Sequence, residues 1–418
     1  MALKIAMLGW EFPPFISGGL GVHCFELTKA LGERGVLVDF YMPKSQIVPD
    51  SPHPNVKIIP VDYSSFEGEI DLHDAEFGPY YKFLKTIAQT TQSDQNSREF
   101  VETESESYGL NFFEAVGRYN FLVAKLVEIM HKKRHYDLIH AHDWITAKAG
   151  ISASKKIRKK LIFTFHSTEF DRTANLSPFD WILAIESEAA KNAAHIIAVS
   201  NMTRMHVSEK FQVSPNKISV VYNGVDMSKF KSNAKKEHFG ISGSVVLFHG
   251  RLSIQKGPDY FLRAAKRVLQ LKPDVRFIIS GKGDMLPQLL SDAISLGIMD
   301  KVTFTGYVSN EHLPYLYSIA DVYVLPSVSE PFGLTVLEAM INGVPAIVSK
   351  SSGVSEIINH CLRVDFWDVD EMASKILAVL KYTELKEMLS DGAKSEASYF
   401  SWKKTADETL LVYNKNMS

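Results

Sequence analysis

The stretch VYVLPSVSEPFGLTVLEAM, residues 322–340, contains the two kinds of element that alternate along the whole chain. Its first residues, Val322–Leu325, are apolar and β-branched or aromatic, which predicts a short buried strand. A loop containing Pro331 and Gly333 follows, and a helix is predicted from Thr335. An apolar strand that leads through a loop into a helix is typical of a parallel sheet covered on both faces.

The same alternation covers the rest of the chain and predicts an α/β fold with doubly wound parallel sheets. Helices are predicted at Val22–Gly35, at Val116–Lys133, from Gly257, Asp284 and Glu311, and at Ser401–Tyr413. The further predicted strands are Leu3–Leu8, Val36–Tyr41, Val56–Val61, Tyr136–His140, Lys160–Phe165, Ala194–Val199, Lys217–Val221, Val245–His249, Val275–Ser280, Val302–Thr305 and Ala346–Ser349.

The rhythm of strand and helix restarts after about residue 235. We therefore predict two Rossmann-like domains, residues 1–230 and 231–399, joined near the polar stretch Lys229–Phe239. A closing helix within residues 400–418 is expected to pack back on the first domain. The polar, acidic stretch Gln89–Ser107 interrupts the rhythm; it is interpreted as a surface insertion, with a substrate-gating loop as the alternative.

The composition excludes several classes of protein. The chain has 418 residues, 46 of them basic and 48 acidic, and the resulting net charge of −2 argues against a protein built to hold nucleic acid. Apolar residues make up 45%, which excludes wholesale disorder. Two distant cysteines, Cys24 and Cys361, fit a reducing compartment. With no recognisable signal peptide and no apolar run near the roughly 18–20 residues of a membrane span, we expect a cytoplasmic protein without a transmembrane segment.

A glycine-rich loop opens the first predicted helix. Gly18, Gly19 and Gly21 let the backbone approach a ligand closely, and the helix N-terminus attracts a phosphate. A tight strand-to-helix turn is the structural alternative. Asp39 lies where a dinucleotide fold places its ribose-binding acid, but the Gly-Gly-x-Gly spacing and its distance from the first strand disfavour a nicotinamide site.

Arg251 and Lys256 follow the predicted strand Val245–His249, and Gly257 begins the next helix. A guanidinium fork, an ammonium and a helix N-terminus together suit a diphosphate and the charge that develops on a departing one. A solvated basic loop is the alternative. The carboxyl ends of parallel strands are where such folds bind ligands, which favours the diphosphate.

Glu330 and Glu338 flank Gly333 in the stretch quoted above. Backbone N–H groups near Gly333–Thr335 are suited to a phosphate or sugar, and Glu338 is suited to accept a hydrogen bond from a ribose hydroxyl. Helix capping and surface charge are the alternative roles for these glutamates.

Two other pairs are interpreted as structural, not as metal ligands. Asp368 and Asp370 form an Asp-x-Asp motif in a polar segment far from the proposed site. His140 and His142 are interpreted as pointing to opposite faces of a strand end, with no third ligand nearby. No Gly-x-Ser-x-Gly elbow supports acyl hydrolysis.

Together, Gly18-Gly19, Arg251 with Lys256, and Glu330-x7-Glu338 resemble the retaining GT-B glycosyltransferases, the group that includes the glycogen and starch synthases. The opening Gly9-Trp10-Glu11-Phe12-Pro13-Pro14 resembles short prokaryotic glycogen-synthase-like members in particular, and the similarity runs from about residue 3 to 413. Ser17 departs from the pattern, since larger bacterial glycogen synthases carry a lysine there. This departure leaves other sugar transfers open.

The resemblance implies roles for the matching positions. Arg251 and Lys256 hold the donor diphosphate, Glu330 lies near the transferred sugar, and Glu338 binds the ribose. The implied catalytic set is His166, Arg251, Lys256 and Glu330; the donor-binding set is Gly18, Gly19, Tyr307, Val308, Gly333, Leu334, Thr335 and Glu338; the sugar or acceptor side is His142, Asp143 and Asn223.

The resemblance further implies transfer of a hexose, with glucose as the leading sugar, from UDP- or ADP-glucose to an α-1,4-glucan, without a metal or other cofactor. The alternatives are transfer of glucose or mannose to a small or lipid-linked acceptor, a nucleotide-sugar epimerase, and a non-catalytic nucleotide-sugar sensor. The sequence does not reveal the donor base or the oligomeric state.

Overall fold

The computed structural model describes residues 2–14, 18–45, 49–62, 112–230, 236 and 241–417. Ser17, the stretch Gln89–Ser107 and most of Lys229–Phe239 lie outside the described residues, so what we predict for them stays a prediction.

Among the described residues, two parallel sheets confirm the predicted α/β class. The first has the strand order β3-β2-β1-β4-β5-β6-β7 and the second has β10-β9-β8-β11-β12-β13. The strands are β1 (Lys4–Leu8), β2 (Leu37–Pro43), β3 (Val56–Val61), β4 (Leu138–His142), β5 (Lys160–Phe165), β6 (His195–Ala198), β7 (Ile218–Val220), β8 (Val245–His249), β9 (Arg276–Ser280), β10 (Val302–Gly306), β11 (Val322–Leu325), β12 (Ala346–Ser349) and β13 (Leu362–Val364).

Helices connect most of these strands, as expected for doubly wound sheets. They are α1 (Gly19–Glu33), α2 (Phe112–Arg134), α3 (Trp144–Ile157), α4 (Glu169–Arg172), α5 (Asp180–Asn192), α6 (Asn201–Phe211), α7 (Pro258–Leu271), α8 (Leu286–Ser295), α9 (Leu313–Ser318), α10 (Leu334–Ile341), α11 (Val369–Lys381), α12 (Thr383–Ala397) and α13 (Trp402–Met417). Among the described residues, no helix has both the length and the apolar character needed to cross a membrane.

The chain groups into two compact units. The first comprises residues 1–165, 179–197 and 410–418, and the second comprises 166–178 and 198–409. The predicted boundary at 230/231 falls beside a segment of which only Lys236 is described, and it stays a prediction.

The central strands of the second sheet are buried on both faces, which explains why they read as continuous apolar runs. In β8, Val246 and Phe248 pack into one apolar core, while Val245 and Leu247 pack into the other. Residues that alternate along a strand point to opposite faces, so a strand with two buried faces is apolar throughout.

Glycines allow the ends of β8 and β9 to approach each other closely. Gly281 has φ +135, and a Cβ atom there would lie 1.9 Å from the carbonyl oxygen of Gly250. The Gly250 N–H donates to the Ser280 carbonyl at 3.0 Å. This close backbone packing holds the loop that begins at Gly250, directly before Arg251.

We predict that Gly281→Ala destabilises the second unit by about 3 kcal/mol or more, because the new methyl group collides with fixed backbone in a conformation reserved for glycine. The matched control is Gly297→Ala, where φ is +65 but no atom lies within 4 Å of the added Cβ. The control should lose only the ~1–2 kcal/mol of positive-φ strain. Urea unfolding followed by circular dichroism measures both, and equal losses would contradict the close-packing interpretation.

Candidate functional site

The polar residues of the second unit gather where its parallel strands end. Arg251 follows β8, Tyr307 and Val308 follow β10, and the loop Ser327–Glu330 follows β11. Since the three strands are parallel members of one sheet, their carboxyl ends lie at the same edge. The structure therefore gathers sequence-predicted residues from several separate segments at this edge.

Lys256 and Glu330 form an ion pair between Nζ and Oε2 at this edge. Glu330 is only 5% exposed, and the Ser327 hydroxyl lies 3.4 Å from the same carboxylate oxygen. A buried carboxylate needs such a counter-ion, because removing the partner leaves an uncompensated charge. The Arg251 side chain is exposed to solvent.

The helix that follows Lys256 begins at a position that requires glycine. Gly257 has φ +62, and a Cβ atom there would lie 2.3 Å from the Pro326 carbonyl oxygen. Pro258 occupies the first turn of α7, where its missing N–H costs no hydrogen bond. The start of α7 is thereby held against the loop that carries Glu330.

Glu338 is positioned by a tyrosine that the sequence analysis did not assign to the site. The Tyr317 hydroxyl donates to Glu338 Oε2 at 2.8 Å. Burial raises the pKa of Glu338 to about 7, and the hydrogen bond from Tyr317 partly opposes this shift. The carboxyl group therefore changes its charge near neutral pH.

A second tyrosine that the sequence did not single out links the end of β8 to the first turn of α10. The Tyr323 hydroxyl lies 2.7 Å from Thr335 Oγ1 and 3.1 Å from the His249 carbonyl oxygen. Burial, followed by the charge of Lys256, lowers the pKa of His249 to about 4. The signal for both tyrosines is general: a buried tyrosine needs a hydrogen-bond partner for its hydroxyl.

The remaining donor-side residues lie at the start of α10 and after β10. Gly333 precedes α10 with φ +111, and Leu334 and Thr335 form its first turn. Tyr307 is 58% exposed, whereas Val308 is half-buried. Their assignment to donor binding stays a prediction.

Asn223 is buried in a loop that packs tightly on the start of α13. A Cβ atom on Gly224 would lie 2.3 Å from the backbone of Ser401 and Trp402, and the Val225 N–H donates to the Phe400 carbonyl at 2.9 Å. His166, directly after β5, is half-buried and belongs to the second unit.

In the first unit, the predicted residues again lie where strands end or helices begin. Gly18 and Gly19 are exposed at the start of α1. Asp143 precedes α3 with φ 57, and Thr146 Oγ1 donates to the His142 carbonyl at 2.8 Å. His142 is the last residue of β4, not a residue after it, because the strand runs two residues further than predicted.

The interpretation that His140 and His142 point to opposite faces is wrong. Their ring centroids lie 4.2 Å apart, since residues two apart in a strand share a face. His140 is still a poor metal ligand, because Nδ1 lies 2.6 Å from the Tyr413 hydroxyl and Nε2 lies 2.7 Å from Thr164 Oγ1. Burial lowers the pKa of His140 to about 3.

The two aspartates of the Asp-x-Asp motif contact different partners. The Asp368 side chain accepts from the Glu371 N–H at 2.8 Å and caps α11. Asp370 pairs with Arg267 at 3.0 Å on the surface. The carboxylate of Asp39 is engaged too, by Arg134 at 3.0 Å and by the Tyr136 hydroxyl at 2.6 Å.

Two parallel-sheet α/β domains with these strand orders define the GT-B class of glycosyltransferases. The structure is similar to the sucrose-phosphate synthase from Thermosynechococcus elongatus, with a TM-score of 0.77 and 19% identity over 99% of this chain and 98% of the other. It is also similar to Anabaena HepE in complex with UDP and glucose, with a TM-score of 0.74 and 20% identity over 99% of both chains.

The family follows from sequence. The model "Glycosyltransferase Family 4" matches residues 17–229, and "Glycosyl transferases group 1" matches residues 242–396. An uncharacterised glycosyltransferase of Methanocaldococcus jannaschii is 31% identical over 98% of both chains. The chain therefore belongs to the group 1 glycosyltransferases.

Two relatives of equal identity to this chain carry the names of different enzymes. The glycogen synthase of Mycobacterium tuberculosis is 26% identical over 98% of this chain and 94% of its own. The D-inositol 3-phosphate glycosyltransferase of Thermobifida fusca is also 26% identical, over 95% of this chain and 88% of its own. Overall identity does not discriminate between these two names.

We predict that Glu338 makes the ligand-free protein less stable as pH rises from about 4.5 to 7. Its folded-state pKa of about 7 lies above the ordinary value, so in this range the folded chain binds more protons than the unfolded chain. Relative to wild type, Glu338→Gln should therefore gain stability, by about 1–2 kcal/mol, between pH 5 and pH 7.5.

Urea unfolding at the two pH values measures this difference. The control is Glu384→Gln, a change of an exposed glutamate on α12, which should follow the wild type at both pH values. A Glu338→Gln curve that runs parallel to the wild type would contradict the raised pKa.

Proposed function

We propose that the protein transfers glucose from UDP- or ADP-glucose to an α-1,4-glucan, with retention at the anomeric carbon. The observation that carries the proposal is the ion pair between the half-buried Lys256 and the buried Glu330, at the carboxyl edge of the second sheet beside the N-terminus of α7. A donor diphosphate entering there meets Lys256, the exposed Arg251 and the first N–H groups of a helix.

In the transfer, the bond between the anomeric carbon and the diphosphate breaks, and its electron pair leaves on the phosphate oxygen. Arg251 and Lys256 stabilise that charge, while Glu330 holds the Lys256 ammonium in place. The acceptor hydroxyl oxygen bonds to the same carbon on the face that the diphosphate leaves, and its proton passes to the departing phosphate oxygen. In this proposal the cations neutralise the leaving group, so no metal ion takes part.

In this proposal, the other residues at the carboxyl edge of the second sheet bind the nucleoside part of the donor. As a carboxylate, Glu338 accepts hydrogen bonds from the ribose, and backbone groups at Gly333, Leu334 and Thr335 bind phosphate or sugar oxygens. Tyr307 and Val308 meet the base. Ribose binding favours the ionised form of Glu338 and lowers its pKa, so we expect donor affinity to increase as pH rises through about 7.

The first unit and its adjoining segments take the remaining roles. Gly18 and Gly19 cover the donor phosphates, and His166 lies beside the reacting carbon. His142, Asp143 and Asn223 face the sugar or acceptor. This part of the proposal is supported by the matching family pattern and by the placement of these residues at strand ends and helix starts.

A second candidate is transfer to a small phosphorylated acceptor. It is favoured by the relatives named D-inositol 3-phosphate glycosyltransferase, one of which is as similar to this chain as the glycogen synthase is.

One panel separates the candidates. The protein is incubated with a UDP-, ADP- or GDP-sugar as the donor. Each donor is tested with glycogen as the acceptor, with inositol 3-phosphate as the acceptor, and without an acceptor. The release of nucleoside diphosphate is measured. Release that depends on glycogen supports the proposal, and release that depends on inositol phosphate supports the second candidate. Donor binding without release in any arm would overturn both and favour a sensor, whereas conversion of the sugar without an acceptor would favour an epimerase.

We predict that Arg251→Ala and Lys256→Ala each reduce transfer by about 10²–10³-fold, because each removes a charge that stabilises the leaving diphosphate. The control is Arg267→Ala, which removes a surface cation paired with Asp370 and should leave the rate within about twofold. Initial rates with the active donor, on variants whose circular dichroism matches the wild type, test this. Unchanged rates in both site variants would contradict the diphosphate assignment.

A further inference from the structure

Asp171 is a buried carboxylate with four hydrogen-bond donors around it. One oxygen accepts from the Thr168 N–H and hydroxyl, both at 2.8 Å. The other lies 2.7 Å from the Ser329 hydroxyl and 3.2 Å from His206 Nδ1. Asp171 is only 1% exposed, so these groups replace its hydration shell.

One of these donors belongs to the loop that carries Glu330. Ser329 directly precedes Glu330, whose carboxylate pairs with Lys256. On the Lys256 side, the same loop is held by the Val328 N–H, which donates to the Gln255 carbonyl at 2.9 Å. The Glu330 N–H donates to the Ser351 carbonyl, also at 2.9 Å. Asp171 therefore anchors this short loop through a side chain, in addition to the backbone hydrogen bonds.

We propose that Asp171 is a positioning residue for transfer: by binding Ser329 it fixes the loop that sets the Glu330 carboxylate against Lys256. This inference rests on the proposed function, because it assumes that Lys256 and Glu330 act on the donor. Asp171 itself touches neither ion-pair partner in the described contacts, so it acts through Ser329.

The chemistry of the network requires a carboxylate at position 171. An ionised carboxylate only accepts hydrogen bonds, and here all its partners can donate. An asparagine at this position replaces one of the two accepting oxygens by an NH2 group. That NH2 group faces hydrogen-bond donors and cannot accept from them, so at least one of the bonds is lost. A leucine removes every bond and leaves the donors buried without a partner.

His206 is the ionisable partner of Asp171, with Nδ1 3.2 Å from the carboxylate. The hydrogen bond to Asp171 raises the pKa of His206, against the opposing effect of burial. Burial alone raises the pKa of Asp171, but the bonds from His206, Ser329 and the Thr168 N–H outweigh it and lower that pKa. On its own helix, His206 is also near the charges of Glu209 and Lys210.

The first test uses the full-length protein without ligand and does not depend on turnover. Amide hydrogen exchange of the Val328–Glu330 segment is measured in wild type, Asp171→Asn and Ser329→Ala. We expect exchange to become at least about tenfold faster in both variants, because Ser329→Ala removes the bond between positions 171 and 329 and Asp171→Asn replaces its charged acceptor by an amide. Ser329→Ala removes only a half-buried hydroxyl, so it keeps the test available if Asp171→Asn folds poorly.

The matched control for a structural carboxylate is Asp321→Asn. Asp321 pairs with Lys236 at 2.8 Å and with Lys386 at 2.6 Å, and it precedes β11, at the opposite end of that strand from Glu330. It should lose stability, but exchange in Val328–Glu330 should not change. Equal acceleration in the control, or none in Ser329→Ala, would overturn the positioning role.

The second test measures transfer with the donor and acceptor that the panel identifies. We expect Asp171→Asn to lower kcat by about tenfold to a hundredfold, with the donor KM within about twofold, because the misplacement acts on the transition state. Ser329→Ala should have a smaller effect in the same direction. The variant that carries both substitutions should be no slower than Asp171→Asn alone, since both substitutions act on the same hydrogen bond between positions 171 and 329.

Purely additive losses, or a loss of kcat equal to that in Asp321→Asn, would contradict the inference. A histidine titration by NMR completes the test: the pKa of His206 should fall in Asp171→Asn and stay near the wild-type value in Asp321→Asn. If the wild type shows no transfer in any arm of the panel, the proposed function fails, while the exchange and titration results still decide whether Asp171 fixes the loop.

Discussion

The burial of both faces of the sheet is the constraint on which the rest of the second unit depends. In β11, Val322 and Val324 pack into one core, and Tyr323 and Leu325 pack into the other. Charged groups have no place on either face, because burying an unpaired charge is too costly. At the carboxyl edge the charged groups are the exposed Arg251 and the Lys256–Glu330 pair, and at the opposite end of β11 Asp321 is paired with two lysines.

Two tyrosines connect the core to that edge. The rings of Tyr317 and Tyr323 lie within the apolar core, while their hydroxyls bind Glu338 and Thr335. A single side chain thus contributes apolar packing at one end and a fixed hydrogen bond at the other. The packing of the core therefore affects the orientation of the candidate donor site. A substitution in the core beneath these two rings would also shift their hydroxyl groups and the residues that these hydroxyls bind.

The family and the specificity are decided at different levels. Sheet topology and the family models establish a group 1 glycosyltransferase, because these depend on the buried framework that distant relatives share. Sugar and acceptor specificity depend on the site and not on the fold, and relatives of equal identity to this chain carry different names. For this reason the acceptor has to be identified by the assay with several donors and acceptors.

The sequence by itself determined the two parallel sheets, because buried strands are apolar, whereas the ion pair between Lys256 and Glu330 is a finding of the structure. It missed β13, whose three residues include Arg363 and carry no apolar run, and it misplaced the end of β4 and the shared face of His140 and His142. Only the tertiary structure decided that Asp171 meets Ser329, 158 residues away. A single hydrogen bond between residues so far apart produces no pattern in the sequence. The burial of a strand does produce one, because every residue along the strand is apolar.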